Sequence, residues 1–206
     1  ACGEPQSLSL EVIECLSERR QRNLLRRAVQ RCGLPSPPAT RLFQAVSELI
    51  PARPDAQPVV CWTGAELRRY RGRVYVLPAL DQRPDAPLER LAVDGGPIEL
   101  GQKLGCLQLV RAARNGLAPD VVGDGLQIRF REGGESLRIA PDGSTRKLKK
   151  LLQEHGILPW MRDRLPLLYA GDELVAVADL WRSADHSSET GYVVDWLEKP
   201  PINGPL

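Results

Sequence analysis

Residues 144–154 read STRKLKKLLQE, and residues 159–163 read PWMRD shortly after them. The first stretch concentrates positive charge in a segment with a helical pattern, on Arg146, Lys147, Lys149 and Lys150. A compact basic helix commonly faces a polyanion, because Lys and Arg neutralise phosphates. Cations near a helix N-terminus oppose the helix dipole by roughly a few tenths of a kcal/mol each, so a compensating gain such as phosphate binding is expected. The other interpretation is a solubilising face.

The same stretch predicts where this helix begins and ends. Ser144 is the expected N-cap, and Gly156 the expected left-handed cap, with Ile157 folding back on the last turn. The leucines between them form one apolar stripe, which predicts a helix packed on a sheet. Pro159 prevents continuation of the helix. Trp160 is either a core anchor or a ring that stacks on a base.

The composition is that of a globular chain of 206 residues, long enough for one large domain or two small ones. The net charge of +2 is too small for a global electrostatic argument, so only local clustering favours nucleic acid. Five cysteines form no C-x-x-C pair, which predicts reduced thiols in a cytoplasmic protein. The sequence has neither a signal peptide nor an apolar run of membrane-spanning length, so no membrane is expected. A start at Ala1 predicts a fragment or a processed chain.

Residues 1–80 predict a small, mainly helical domain with a short sheet. A first helix is expected from the N-cap Ser17 to Cys32, before Gly33. A second helix is expected to open at Ser36-Pro37, with a buried stripe of Leu42, Phe43, Val46, Leu49 and Ile50. Three strands with turns at Thr63-Gly64 and Arg71-Gly72 are predicted at Val59–Trp62, Glu66–Tyr70 and Arg73–Leu77.

Two further clusters of arginine lie in this part of the chain. The outer face of the first helix carries Arg19, Arg20, Arg22, Arg26, Arg27 and Arg31, and the hairpin that follows carries Arg68 and Arg69. Both clusters are candidates for binding nucleic acid. A solvated face with scattered ion pairs is the alternative.

A polar, proline-rich linker is predicted at 81–97, followed by a β-rich domain at 98–200 with the basic helix as its one clear helix. The strands are expected at Ile98–Leu100, Cys106–Arg111, Leu126–Arg131, Ser136–Ile139, Leu167–Tyr169, Leu174–Ala178 and Tyr192–Trp196. The fold class is therefore α+β. Cations that could extend the basic surface are Arg129, Arg131, Arg138, Arg162 and Arg164. Asp163 is expected to be a structural partner of an arginine.

No catalytic cluster is evident. His155 and His186 are the only histidines, and neither has a neighbour that predicts nucleophilic or metal chemistry. The glycine pairs do not stand between a strand and a helix, so no nucleotide-binding loop is predicted. We therefore expect no catalytic residue, no metal site and no cofactor within this chain.

The basic stretch, LPWMRDRLPLLY at 158–169 and GDELVAV at 171–177 together resemble the C-terminal domain of tRNA(Ile)-lysidine synthases. RNLLRR at 22–27 and LRRYRG at 67–72 are similar to the substrate-binding middle domain of the same family. The resemblance implies an enzyme that uses ATP and Mg²⁺ to attach lysine to the wobble cytidine of the isoleucine tRNA with a CAU anticodon.

In that family the chemistry belongs to an N-terminal domain with a Ser-Gly-Gly-x-Asp-Ser phosphate loop, which this sequence does not contain. The resemblance therefore implies the two noncatalytic domains, inactive alone, with tRNA as their partner. It carries a tRNA-contact role to Arg146, Lys147, Lys149 and Lys150; the other arginines rest on charge clustering. Two alternatives stay open: an interaction module, as in a homodimer, and a stand-alone RNA-binding protein.

Overall fold

The computed structural model describes residues 6–80, 85–86, 89–112 and 114–204. The chain divides into two compact units. The boundary falls between residues 82 and 83, and the part before it, with Gly204, is called the first unit, while the part from 83 to 203 is called the second unit. Within the predicted linker of 81–97, residues 81–84, 87 and 88 lie outside the described residues. Part of the predicted linker belongs to a sheet instead, because Arg90–Leu91 form a strand that pairs with residues 126 and 127.

The described part of the first unit combines helices with an antiparallel sheet. Its elements are β1 (Ser7–Ser9), α1 (Leu10–Glu14), α2 (Glu18–Arg31), α3 (Ala39–Gln44), a π-helical turn (Ala45–Leu49), β2 (Val59–Trp62), β3 (Ala65–Tyr70) and β4 (Arg73–Pro78). The strands form one sheet in the order β1-β4-β3-β2. The helices cover this sheet with a shared core that includes Leu25, Leu42 and Leu67.

Helix α2 confirms the predicted first helix. It begins after Ser17, and Gly33 follows its last turn with φ +67°. Leu25, Ala28 and Val29 are buried, as the periodicity predicts.

The hairpin between β3 and β4 is also as predicted. Arg71 and Gly72 form its two-residue turn, with φ +45° and +69°. Positive φ at both positions is the geometry of a type I′ turn, which matches the right-handed twist of the two strands.

The predicted second helix differs from the structure at both ends of its pattern. It begins at Ala39 rather than at Pro37, because a residue that precedes proline avoids the helical region and both Ser36 and Pro37 do so. Further along, Ile50 donates to the carbonyl of Ala45 across a π-helical turn. The wider turn changes the phase of the helix. Phe43, predicted to be buried, is 56% exposed.

The second unit is rich in strands. Its elements are β5 (Arg90–Leu91), β6 (Ile98–Glu99), β7 (Cys106–Ala112), β8 (Gly116–Leu117), α4 (Pro119–Val122), β9 (Leu126–Phe130), β10 (Ser136–Leu137), β11 (Arg146–Lys147), α5 (Leu148–Glu154), a 3₁₀ turn (Pro159–Met161), β12 (Pro166–Ala170), β13 (Glu173–Val177), β14 (Trp181–Arg182), a second 3₁₀ turn (Ala184–His186), β15 (Ser187–Ser188) and β16 (Gly191–Leu197). The five-stranded sheets are β14-β13-β12-β9-β5 and β15-β8-β16-β7-β6, and β10 pairs with β11. The α+β fold class is confirmed.

The strands predicted between residues 98 and 196 are all present, with small shifts at their ends. In β9, Ile128 and Phe130 are buried while Gln127 and Arg129, which alternate with them, are more exposed, as the alternation predicts. Arg131 follows the end of this strand. The strands that the sequence did not predict are two-residue pieces or lie near the chain start, where alternation carries little signal.

Helix α5 is shorter than predicted at its N-terminal end. Lys147 is the N-cap and Ser144 lies outside the helix, because Arg146 and Lys147 pair with β10 as a short strand. The backbone N–H of Leu148 then donates to Glu135 O at 2.9 Å. Pairing with β10 holds the first two cations in an extended conformation, so only Lys149 and Lys150 are helical.

The rest of α5 is as predicted. Its leucines at 148, 151 and 152 are fully buried. Gly156 has φ +68°, and its N–H donates to Gln153 O while that of Ile157 donates to Leu152 O. These two bonds form a Schellman motif, which satisfies the last carbonyls of the helix.

Candidate nucleic-acid interface

The side chains of Lys147, Lys149 and Lys150 form an exposed basic surface on the second unit, called here the lysine surface. Burial of the leucine stripe turns these lysines to the outside. Within the described part of the chain, none of the three makes an ion pair or a side-chain hydrogen bond. The first turn of α5 contains no acidic residue that would balance them.

Arg146, the fourth cation of the stretch, has a different environment. Its Nη2 donates to Glu154 Oε2 at 2.5 Å, which joins β11 to the last residue of α5. This hydrogen bond, with the charge of Arg146 and a smaller contribution from Lys150, lowers the pKa of the Glu154 carboxyl. The guanidinium is therefore engaged within the fold, although its side chain is partly exposed.

Two arginines of the neighbouring sheet are also engaged. Arg129 lies over the ring of Tyr169 at 4.4 Å and donates to Gln127 Oε1 at 2.7 Å. Arg131 pairs with Asp163 at 2.9 Å and with Glu135 at 3.6 Å, and its side chain is only 17% exposed. The expectation that Asp163 is the structural partner of an arginine is confirmed, and that partner is Arg131, the residue directly after β9.

The remaining cations named for this surface hold loops together. Arg138 pairs with Asp185 and donates to Pro141 O at 3.1 Å. Arg162 donates from Nε to Ile157 O at 2.9 Å. Arg164 does not extend the surface, because it is 8% exposed and donates to Gln102 Oε1 at 3.1 Å. These arginines lie near the lysines in the sequence, but their side chains bind other parts of the fold. Contact with RNA stays a prediction for Arg129, Arg131, Arg138 and Arg162.

In the first unit, helix α2 carries two kinds of arginine. Exposed arginines without an ion pair or side-chain hydrogen bond to any described residue are Arg19, Arg20, Arg27 and Arg31. Arg20, Arg27 and Arg31 follow one another at i, i+7 and i+11, so they form one stripe along the helix. All three belong to the arginine cluster that the sequence already predicts on the outer face of this helix.

The other arginines of the first unit have partners. Arg22 pairs with Glu18 at 3.3 Å, and Arg26 donates to Asn23 Oδ1 at 3.1 Å. Arg68 pairs with Glu66 at 2.5 Å. Arg69 donates from Nη1 to the carbonyls of residues 50 and 52, which fastens the chain after the π-helical turn. Arg69 is thus a support of the loop.

The aromatic and histidine candidates of the second unit occupy structural positions. Trp160 is half-buried, which decides neither for a core anchor nor for a ring that stacks on a base. His155 packs edge-on against Trp181 with ring centroids 4.8 Å apart. His186 approaches Glu173 at 2.9 Å beside an open pocket of about 300 Å³, a pairing that the sequence did not predict.

The described residues offer neither a metal-binding cluster nor a membrane-spanning helix. No cluster of three or more His, Cys, Asp or Glu side chains among them is arranged to hold a metal ion. None of the helices described is long and apolar enough to cross a membrane.

Known proteins are similar to this chain over most of its length. Curated relatives include the tRNA(Ile)-lysidine synthases of Alkalilimnicola ehrlichii, 40% identical over 96% of this chain and 44% of that protein, and of Methylococcus capsulatus, 32% identical over 95% and 45%. That of Coxiella burnetii is 36% identical over 79% and 36%. The chain spans less than half the length of these relatives. A solved structure described as the TILS C-terminal domain is 20% identical with a TM-score of 0.36, covering 56% of this chain and 90% of that one.

Family models match one segment in each unit. Residues 8–75 match the model described as "TilS substrate binding domain", which includes α2 and the hairpin of β3 and β4. Residues 126–196 match "TilS substrate C-terminal domain", which includes the lysine surface. The chain therefore belongs to the TilS family, and it contains a substrate-binding domain followed by a C-terminal domain of that family.

Proposed function

We propose that this chain is the tRNA-recognition part of an ATP-dependent ligase that attaches lysine to the wobble cytidine of the isoleucine tRNA with a CAU anticodon. The observation that carries the proposal is the lysine surface. Three exposed lysines within four positions make no ion pair or side-chain hydrogen bond to any described residue, while Arg131, Arg138 and Arg146 are paired. An unpaired, solvated cation can bind a phosphate without first giving up a protein partner.

The stripe of Arg20, Arg27 and Arg31 supplies a second set of phosphate contacts in the first unit. Planar guanidinium groups bind phosphate oxygens in pairs, and these groups have no described partner to lose. Phosphate contacts position a nucleic acid but carry no sequence information. We therefore assign placement of the tRNA, rather than reading of the anticodon, to both surfaces.

The chemistry of the whole ligase belongs to the proposal as well. The names of the relatives support an isoleucine tRNA and the product lysidine. Use of ATP with Mg²⁺, the choice of the CAU-anticodon tRNA and a cytoplasmic location are proposed from the resemblance of the sequence alone. In this proposal the chain itself neither activates cytidine nor transfers lysine. A preparation of the chain that released AMP from ATP in the presence of tRNA and lysine would contradict that assignment.

Salt-dependent binding tests the proposal. A transcript of the CAU-anticodon isoleucine tRNA is titrated with the chain at several salt concentrations, and the logarithm of the association constant is plotted against that of the salt concentration. Replacement of Lys147, Lys149 and Lys150 by Gln should reduce the magnitude of the slope by about 2 to 3, since each neutralised phosphate contributes about 0.9.

A matched control removes three charges from other places in the second unit. Lys103, Arg111 and Arg114 are exposed and lack an ion pair or side-chain hydrogen bond to any described residue, so their replacement by Gln changes the net charge equally. The proposal expects this control to keep most of the slope. Equal slopes for the two variants would contradict phosphate binding by the lysine surface and would favour a solubilising face. A slope near zero for the unmodified chain, together with self-association, would favour an interaction module.

A further inference from the structure

The ring of Phe43 is an exposed aromatic surface in the first unit. The side chain is 56% exposed, although its place in the pattern of α3 predicts burial. In the π-helical turn that follows, Ala45 is buried although it lies outside the predicted stripe, and Leu49 is buried as predicted. An exposed phenylalanine alone is ordinary, so the inference depends on its surroundings.

An arginine covers one face of this ring. The guanidinium carbon of Arg22 lies 4.4 Å from the ring centroid, which is a cation–π contact. Arg22 is held there by Glu18, the first residue of α2, at 3.3 Å. Because one face is covered, the exposed area of the ring must come from its opposite face and its edges. The contact therefore fixes an aromatic ring with an open side.

The charges beside the ring indicate what would cover it. Arg19, Arg22 and Arg26 stand at i, i+3 and i+7 of α2, so they share the side of the helix that faces Phe43. A nucleotide combines the two chemistries that such a surface offers to bind, since its base has a flat π face and its phosphate is an anion. Bases inside a duplex are already stacked, so the occupant must be an unpaired base.

We propose that Phe43, supported by Arg22, is a stacking platform for one unpaired base of the bound tRNA, with Arg19 and Arg26 holding the adjoining phosphates. The proposal rests on the proposed function and deepens it, because it adds a contact with a base to surfaces that otherwise meet only the backbone. Stacking on an aromatic ring accepts any base, so the platform selects an unpaired position of the tRNA rather than a particular nucleotide.

Replacement of Phe43 by Ala is the first test. The association constant for the isoleucine tRNA transcript should fall about 5- to 150-fold, the range for loss of one stacked base. The salt slope should stay unchanged because no charge is removed. Arg22→Gln should lower the affinity and also reduce the magnitude of the slope by up to about 0.9, if Arg22 reaches a phosphate as well.

Val12 supplies the matched control, because its apolar side chain is as exposed as that of Phe43, at 59%. Val12→Ala should leave the affinity within about twofold, since ordinary surface changes have small effects. If Phe43→Ala lowered the thermal midpoint of the chain, the binding test would use Phe43→Leu instead of Phe43→Ala. Leucine keeps the apolar volume but has no ring. Leucine should still lose most of the stacking.

A fluorescence measurement follows the contact directly. In Phe43→Trp an indole occupies the platform, and binding of the transcript should quench its emission beyond the change seen in the unsubstituted chain. Val12→Trp should show no such excess. Unchanged affinity for Phe43→Ala and no excess quenching for Phe43→Trp would overturn the platform while leaving tRNA binding in place. If the unsubstituted chain bound no tRNA, the proposed function itself would fail, and the two failures are thereby distinguished.

Discussion

Arg131 donates from Nη1 to Asp163 Oδ1 at 2.9 Å, and this ion pair ties the end of β9 to the turn after the basic helix. Asp163 is 62% exposed at its side chain, so solvent screens the pair. We expect Asp163→Asn to lower the free energy of unfolding by about 0.5–1 kcal/mol, measured by urea denaturation. Asp172→Asn is the control, because its fully exposed carboxylate lies 3.5 Å from Arg129 and should contribute almost nothing. Equal losses in the two variants would contradict a special role for the Arg131 pair.

Glu135 predicts a pH dependence of stability. Burial raises the pKa of its carboxyl, but the backbone N–H groups of residues 132, 133 and 135, together with Arg131, lower it by more, so the pKa lies below its ordinary value. A depressed pKa in the folded state stabilises the protein above the unfolded pKa of about 4.3. That stability is lost as the pH falls through the folded pKa. Glu135→Gln should therefore be less stable than the parent at pH 7, and the difference should shrink in urea titrations below pH 4. A constant difference at all pH values would contradict this.

The left-handed cap after α5 predicts that stability falls in steps when Gly156 is replaced by Asn and by Ala. Its φ of +68° is costly for a residue with a Cβ atom, so Gly156→Ala should destabilise the chain by about 1 kcal/mol. Gly156→Asn should lose less, because asparagine tolerates this conformation better. Thermal midpoints in the order Gly, Asn, Ala would agree with the cap. Gly95→Ala is the control, since Gly95 has no positive φ and a Cβ there meets only ordinary contacts of 3.4 Å or more. Two indistinguishable alanine variants would argue against the cap.

Arg69 and Arg27 predict opposite results for the same substitution. Arg69 donates to two backbone carbonyls, so Arg69→Gln should lower the free energy of unfolding by about 1–3 kcal/mol and leave the salt slope of tRNA binding unchanged. Arg27 has no described partner, so Arg27→Gln should leave stability unchanged and reduce the magnitude of the slope by about 1. Denaturation and binding titrations on both variants check the pair. If Arg69→Gln flattened the slope at full stability, Arg69 would belong to the interface after all.

The elements that the sequence predicts well are those whose cause is local. The stripe of α2, the alternation of β9 and the cap at Gly156 each arise from residues within one or two turns of each other. The start of α5 was missed because the competing interaction is distant in sequence. Pairing of β11 with β10 takes residues 146 and 147 out of the helix that their neighbours predict.

The division of the cations also depends on long-range contacts. Arg131 finds Asp163, and Arg164 finds Gln102, across 32 and 62 residues of sequence. Composition alone therefore groups cations that hold the fold with cations that face solvent. The sequence could partly distinguish the lysines from the paired arginines, because the leucine stripe of their own helix already predicts that they face solvent. Phe43 is exposed although it stands in the predicted apolar stripe, and the sequence offered no signal for the π-helical turn that follows it.

The hydrogen bond from Arg146 to Glu154 has a consequence for the entropy of binding. It fastens the start of the lysine-bearing segment to its end, and the β10 pairing and the Schellman motif fix the backbone on either side. Ordering a backbone residue costs roughly 1–2 kcal/mol. For this segment that cost is met when the protein folds, so under the proposed function an RNA would have only the lysine side chains left to order.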